Sequence, residues 1–262
     1  MNYEDICKLV INASKEAGDF IRTEAQKFSL DKIEVKGLHN FVSYVDKSAE
    51  QLLVDALHKI LPEAGFITEE GTKGNDGEQL KWVIDPLDGT TNFIHGLPAY
   101  SVSLALMDGD ETVVGVVYEI NQNECFYSWK GGAAYLNGKQ IQVSKAQTVQ
   151  DSLIATGFPY YDFDKMKAYL ASLEYIMKHS HGARRIGSAA VDLAYVACGR
   201  FEAFYEYSLQ PWDVAAGAFI LQQAGGKVCD FKGGSDYIFG QELIATNGSI
   251  HEEFLGIVQK YL

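Results

Sequence analysis

Apolar residues fall at helical spacing from the start of the chain. Ile6, Leu9, Val10, Ala13, Ala17, Phe20 and Ile21 share one face, which predicts an amphipathic helix from about Tyr3 to Ala25. Ala49, Leu52, Leu53, Ala56, Leu57 and Ile60 form a second stripe and predict a helix from about Asp46 to Ile60, closed by Pro62. The period then shortens. Phe66 to Thr68, Trp82 to Ile84, Ser101 to Met107, Thr112 to Tyr118 and Glu124 to Trp129 read as strands, and Asp108-Gly109 and Asn137-Gly138 supply hairpin turn chemistry, which predicts antiparallel pairing.

Beyond about Val143 strands and helices alternate. Strands are predicted at Leu153 to Thr156, Ala183 to Ile186, Phe201 to Glu206, Lys227 to Cys229 and Leu243 to Thr246. Helices are predicted around Lys165 to Lys178, from Ser188 to Cys198 stopped by Gly199, and from Trp212 to Ala224 stopped by Gly225-Gly226. Ser249 with Glu252 three residues on predicts a capping box for a last helix. The alternation indicates an α/β layer. With no internal repeat or low-complexity linker, residues 1–144 are expected to form an α+β half and residues 145–262 an α/β half, with a shared interface that holds the functional site.

Composition narrows the functions open to such a chain. The 262 residues are 47% hydrophobic with 25 Gly and 5 Pro, enough for a sizeable core with many turns. A formal net charge of −13, from 35 acidic against 22 basic residues, argues against nucleic acid or an anionic membrane as the main partner. Cys7, Cys125, Cys198 and Cys229 are far apart and lack metal-ligand spacing, so they read as idle thiols in a reducing compartment. No basic and then apolar leader opens the sequence, and no apolar run nears the roughly 18 residues that span a bilayer. A cytoplasmic protein is expected.

The candidate chemistry concentrates in Trp82-Val83-Ile84-Asp85-Pro86-Leu87-Asp88-Gly89-Thr90-Thr91-Asn92, a buried strand that runs into two carboxylates, a glycine and two hydroxyls. Carboxylates attract a divalent cation, and the free N–H groups of a helix starting at Gly89 attract a phosphate. Two other acidic groups end or open apolar segments: Glu69-Glu70 after Gly65-Phe66-Ile67-Thr68, and Asp213 at the start of the helix from Trp212. A two-metal phosphate site needs such convergence, and an oxygen-only donor set favours Mg²⁺ over zinc or copper. Taken singly, each has a plainer explanation: Asp213 as a helix-start charge, Glu69-Glu70 as a solvated pair, and Asp85 to Gly89 as a turn. Phosphatases with an aspartyl nucleophile carry two acids two apart. Here the spacing is three with Pro86 inside it, so water is expected as the nucleophile.

Thr68-Glu69-Glu70-Gly71, Trp82 to Asn92, Gly187-Ser188-Ala189-Ala190 and Gln210-Pro211-Trp212-Asp213-Val214-Ala215-Ala216-Gly217 resemble the signature motifs of the inositol monophosphatase family, Mg²⁺-dependent and lithium-sensitive phosphatases. The resemblance runs from the first helix to about Asp230. It implies a layered α/β/α/β/α sandwich with an antiparallel N-terminal sheet and a mixed C-terminal sheet. It implies two or three Mg²⁺ per subunit: a first held by Glu69, Asp85 and the Leu87 carbonyl, and a second shared by Asp85 with Asp88 and Asp213. By the same resemblance Gly89 and Thr90 cradle phosphate, and Asp46 and Thr90 orient and deprotonate the attacking water, with Glu69 also in the catalytic set. Thr91, Gly187, Ser188, Ala189, Glu206 and Asp213 correspond to substrate contacts, Glu206 reading inositol hydroxyls. Lys36 matches a basic position near the site. In-line attack of metal-activated water on the ester is the implied reaction.

Thr91-Asn92 has the form seen in inositol monophosphatases, whereas relatives acting on 3′-phosphoadenosine phosphate or histidinol phosphate more often carry Lys in place of Thr91. This favours myo-inositol 1-phosphate, a small phosphorylated polyol. Fructose 1,6-bisphosphate stays open, because Gly157-Phe158-Pro159 leaves the sugar-side pocket unspecified. Thr68 departs mildly from the Gly or Ser often found before the acid pair. A non-catalytic regulatory or scaffold protein that keeps the fold is the contrasting class; the complete acid set argues against it. The resemblance also implies a homodimer, with the aromatic-rich stretch from Phe93 to Tyr100 as a candidate contact.

Overall fold

Helix α1 (Tyr3–Ala25) starts at Asn2, whose side chain accepts the Asp5 N–H, and it buries Ile6, Cys7, Val10, Ala13, Ala17 and Ile21. A computed structural model describes residues 1–27, 33–37, 40–72, 79–159 and 163–262, apart from the side chains of 33–37 and 40–43. Lys36 lies on strand β1 (Ile33–Gly37), and its side chain lies outside the described residues. Strand β2 (Asn40–Ser43) pairs antiparallel with β1 and leads into α2 (Tyr44–Ile60), which begins slightly earlier than its apolar stripe predicts.

A seven-stranded sheet follows: β3 (Gly65–Thr68), β4 (Leu80–Asp88), β5 (Ser101–Asp108), β6 (Glu111–Glu119), β7 (Glu124–Trp129), β8 (Tyr135–Leu136) and β9 (Lys139–Gln140), neighbours in that order. The short helix α3 (Thr90–Ile94) stands between β4 and β5. Pairing is antiparallel from β4 to β9, as the turns predict. At Asn137-Gly138 both residues have positive φ, +48° and +82°, the turn that matches strand twist in a two-residue hairpin. The β3 edge departs from the expected antiparallel order and runs parallel to β4. Parallel neighbours need a crossover, not a tight turn, so the Asp76-Gly77 pair between these strands, hairpin chemistry by sequence, does not make them antiparallel.

Side chains alternate across this sheet, and both of its faces are buried. Trp82 and Ile84, Leu104 and Leu106, and Val114 and Val116 pack under α1 and α2. Val83, Ala105, Met107 and Val117 point the other way, toward α5 (Ala189–Ala197) and α6 (Pro211–Gln223). These two helices also cover Ala155, Phe204, Leu243 and Ala245 of a second sheet. That sheet comprises β10 (Leu153–Thr156), β11 (Gly182–Arg184), β12 (Ala203–Tyr207), β13 (Lys227–Cys229) and β14 (Glu242–Thr246), in the order β11-β10-β12-β14-β13 with mixed direction. Its far face, with Ile154, Ala203, Tyr205 and Ile244, packs on α4 (Met166–His179) and α7 (His251–Tyr261) through Tyr169, Ile176, Phe254 and Val258. The layers are therefore α/β/α/β/α.

The expected cap of the last helix is corrected. Ser249 does not cap α7: that helix begins after Ile250, which makes no side-chain cap bond, and it is Asn247 Oδ1 that accepts the Ile250 N–H. The stretch from Phe93 to Tyr100 offers little apolar surface, because Phe93, Ile94 and Tyr100 are buried in the core of their own chain. Phe93 and Tyr100 meet edge to face, and Leu97 is the exposed apolar residue among them. Among the described residues, no helix is long and apolar enough to cross a membrane.

The middle layer depends on close approach. A Cβ placed on Gly217 of α6 would lie 2.6 Å from Leu193 Cβ of α5. Gly217→Ala must therefore part the two helices, and it is expected to cost about 1–3 kcal/mol. Thermal unfolding followed by circular dichroism checks this; an unchanged Tm would show that the helices separate freely.

Candidate functional site

One carboxylate pair owes its geometry to an irregularity in β4. Successive side chains on a strand alternate between faces, so residues three apart point opposite ways. In the β4–β5 ladder Asp85 pairs with Ser103 and Asp88 with Ser101, which places one extra residue on β4 across Pro86-Leu87. Proline is tolerated at such bulges, because it has no N–H to donate. The extra residue restores both acids to one side. There Asp85, Asp88 and Asp213 each bring a carboxylate oxygen within 4.8 Å of the others.

Each acid is fixed by local bonds. Asp85 Oδ1 accepts the Leu87 N–H at 2.9 Å. Asp88 Oδ2 accepts from Ser188 Oγ at 2.6 Å and from the Ala190 N–H at 2.8 Å, at the start of α5. Ser188 is at the same time the α5 N-cap, accepting the Val191 N–H. Asp213 closes a capping box at the start of α6, its Oδ2 accepting the Gln210 N–H at 2.7 Å while Gln210 caps in return. Helix-start and cluster roles thus coexist in one side chain. Ser103 Oγ donates to the Trp212 carbonyl and ties the sheet to this helix start.

Glu69 follows β3 and interacts with Asp85. Its loop is held by Glu50 of α2, a fully buried acid that accepts the Glu70 and Thr72 N–H groups at 2.7 and 2.8 Å. Thr90 Oγ lies 2.9 Å from Asp46 Oδ1 and 3.0 Å from the Leu87 carbonyl, and donates to one or the other. Gly89, with φ +100°, caps α3; a Cβ there would come within 3.0 Å of the Ala99 carbonyl, so glycine is required. Asn92 bonds both Ala99 and Ile186 carbonyls and locks this turn against the segment that carries Gly187.

These groups line a cavity of about 370 Å³. It brings together Glu69, Asp85, Leu87, Asp88, Gly89, Thr90, Thr91, Gly187, Ser188, Ala189, Glu206 and Asp213, all singled out from sequence; Asp46 reaches it through Thr90. Arg185, Asp192, Ser208 and Leu209 of the lining were missed, whereas Gly157 belongs to the segment already noted on the sugar side. Arg185 is the one cation of the wall among the described residues, and the Arg-Arg pair before Gly187 was its signal. Asp192 is a lone acid in the apolar run of α5. Gly157 packs so tightly on Glu206 that a Cβ would lie 1.9 Å from a carboxylate oxygen.

Crowded acids resist ionisation. Burial pushes Asp88 up to about 6, against the bonds from Ser188 and Ala190, and pushes Asp213 up to about 7, with Asp88 adding to the effect. Glu69, Asp85 and Glu206 are raised well above the carboxylate range, chiefly by burial and then by neighbouring acids. Such a donor set, all carboxylate and carbonyl oxygen, fits a hard divalent cation, which would repay the repulsion.

The family model described as the inositol monophosphatase family matches residues 2–262. Nus factor SuhB of Escherichia coli K12 is 39% identical over 249 residues, covering 94% of this chain and 93% of that protein. The extragenic suppressor protein suhB from Bartonella henselae superposes with a TM-score of 0.93 at 35% identity, covering 98% of this chain and 100% of that one. The Thermotoga maritima IMPase superposes with a TM-score of 0.89 at 34% identity, covering 98% of each chain.

Raised carboxyls predict a pH trend of stated sign. An acid whose value is higher folded than unfolded stabilises the fold below about pH 4, and that contribution is lost as pH rises through its folded value, here about 6 and 7. The chelated protein should therefore melt lower at pH 8 than at about pH 5, with added divalent cation raising Tm more at the higher pH. The trend should flatten in Asp213→Asn. A chelated protein that melts higher at pH 8 would contradict the packing of these acids.

Proposed function

Because the chain belongs to the inositol monophosphatase family, we propose that it hydrolyses small phosphate monoesters with the help of Mg²⁺, myo-inositol 1-phosphate foremost. The observation that carries this reading is the convergence of Asp85, Asp88 and Asp213 beside Glu69 and the start of α3. Glu69, Asp85, Asp88, Asp213 and the Leu87 carbonyl would hold the metal. When bound, Mg²⁺ supplies positive charge that neutralises the phosphate and acidifies water within its reach.

The chain's own residues do the remainder. Thr90 Oγ can take a proton from the attacking water as its own hydrogen passes to Asp46 Oδ1, 2.9 Å away. Backbone N–H groups at Gly89, Thr90 and Thr91, at the start of α3, meet the equatorial phosphate oxygens without rearrangement. Glu206, buried and steadied against Gly157, accepts from hydroxyls of the polyol. Gly187, Ser188 and Ala189 shape the wall between the two ends. Thr91 in place of a lysine favours the inositol ester over nucleotide substrates.

A second reading is set by the relatives named Nus factor SuhB: a regulatory role through a partner, without turnover. Retention of the whole acid set argues for turnover, and a net charge of −13 would steer any such role toward a protein partner and away from nucleic acid.

Phosphate release with Mg²⁺ from myo-inositol 1-phosphate and fructose 1,6-bisphosphate at equal concentration tests the proposal. Faster release from the inositol ester is expected, with inhibition by Li⁺. Asp85→Asn or Asp213→Asn should remove nearly all release while far-ultraviolet circular dichroism stays unchanged. Thr90→Ala should lower kcat by about 10²–10⁴-fold. Near-normal turnover in either Asp variant, or preference for the bisphosphate, would overturn the respective assignment.

A further inference from the structure

One acid in the cavity wall takes no part in the arrangement described so far. Asp192 lies in the first turn of α5, is 1% exposed and lines the cavity, yet its Oδ1 finds no hydrogen-bond partner. A buried acceptor without a donor loses its hydration and gains nothing in return. Packing gives no reason for an acid there. Its helix-face neighbours Ala189 and Val196, three and four residues away, are apolar and buried, so a leucine could occupy the position without exposing apolar surface.

Its surroundings indicate what the carboxyl is for. Burial pushes Asp192 well above the ordinary carboxylate range; Glu206 and then Asp88 push the same way, and Arg185 opposes them. Arg185 likewise holds Glu206 and Asp88 down, so one guanidinium is set among three acids. The Glu206 carboxylate fills the space in which a side chain on Gly157 would stand, 1.9 Å from where its Cβ would be. Asp192 and Glu206 therefore stand within electrostatic reach of each other and of Asp88 in the same cavity. Between them they offer more acceptor capacity than the protein itself satisfies.

We infer that Asp192 is a second hydroxyl-reading residue, which together with Glu206 selects esters of alcohols that carry further hydroxyl groups. The inference rests on the hydrolase reading and deepens it. A pocket built to bond a hydroxyl discriminates against a ligand without one, because its own buried group is then left unpaired. Esters of polyols gain from Asp192; esters of alcohols without hydroxyls do not. Arg185 keeps the paired acids from repelling each other as the substrate enters.

Steady-state phosphate release from myo-inositol 1-phosphate and from phenyl phosphate, measured for wild type, Asp192→Leu and Asp192→Asn, tests this. In Asp192→Leu the ratio of kcat/KM for the polyol ester to that for phenyl phosphate should fall about tenfold or more, carried mainly by KM. Asp192→Asn should lose less, since its amide oxygen still accepts. Asp192→Leu removes an unpartnered buried acid, so its Tm should hold or rise. Should that variant not fold, Asp192→Asn decides, a threefold or larger fall supporting the role and an unchanged ratio overturning it. Wild-type turnover of both esters with an unchanged ratio in Asp192→Leu overturns the role of Asp192 alone. No release of phosphate from either ester by the wild type ends the hydrolase reading and this inference with it.

Discussion

Mutual repulsion among acids is the constraint around which this structure is organised. Glu69, Asp85, Asp88, Asp192, Glu206 and Asp213 face a common cavity with Arg185 as the cation of its wall. No hydrophobic gain selects such an arrangement, and each carboxylate brought there costs more as its neighbours accumulate. The fold meets that cost locally. Asp88 draws on a hydroxyl and a backbone N–H of α5, Asp213 on a backbone N–H of α6, and Asp85 on that of Leu87. What those bonds leave uncompensated is the affinity of the site for a cation.

The central helical layer turns local bonds into a shared geometry. Helices α5 and α6 pack between the two sheets and touch the cores of both. Their starts carry Ser188 and Asp213, whereas the bulge that aligns Asp85 and Asp88 belongs to the first sheet. Gly217 lets the two helices approach, and Gly115 on β6 lets α6 approach the sheet, where a Cβ would lie 2.9 Å from the Ala216 carbonyl. Small residues in the packing thus set the distance between acids that lie far apart in sequence. A shift of one helix would move Asp213 relative to the β4 pair, because a close-packed interior transmits displacement and does not absorb it.

Much of this was legible in the residues. The stripes of α1 and α2 gave their extents within a few residues, and Asn137-Gly138 marked its hairpin. The cavity's principal acids stood out because each ends or opens an apolar segment. Three things were not legible. The parallel edge at β3 runs against its local signal, because Asp76-Gly77 before β4 reads as hairpin chemistry although the two strands are parallel. Ser249 had the right spacing for a capping box, but its Oγ accepts from Gln147 Nε2 and it is Asn247 Oδ1 that takes the Ile250 N–H. Asp192 carries no motif of its own and Arg185 only the Arg-Arg pair before Gly187, and it is the fold that gives them a common place with Glu206. The bulge shows the general difficulty. A spacing of three reads as a turn until pairing partners fix which residue is extra.

In a protein with a net charge of −13, an anion would need positive potential where it binds, and nowhere else. Helix starts provide that potential over a short range, fading within about a turn. Three of them, those of α3, α5 and α6, open on this cavity, but two are already engaged by Asp88 and Asp213. The α3 start, with Gly89 at its cap, is the one whose N–H groups are not spent on an acid of the cluster. That division gives the cavity its polarity: carboxylates gather at the end of β4, and the start of α3 beside them keeps its N–H groups open. The polarity follows from which N–H groups the acids occupy and which they leave.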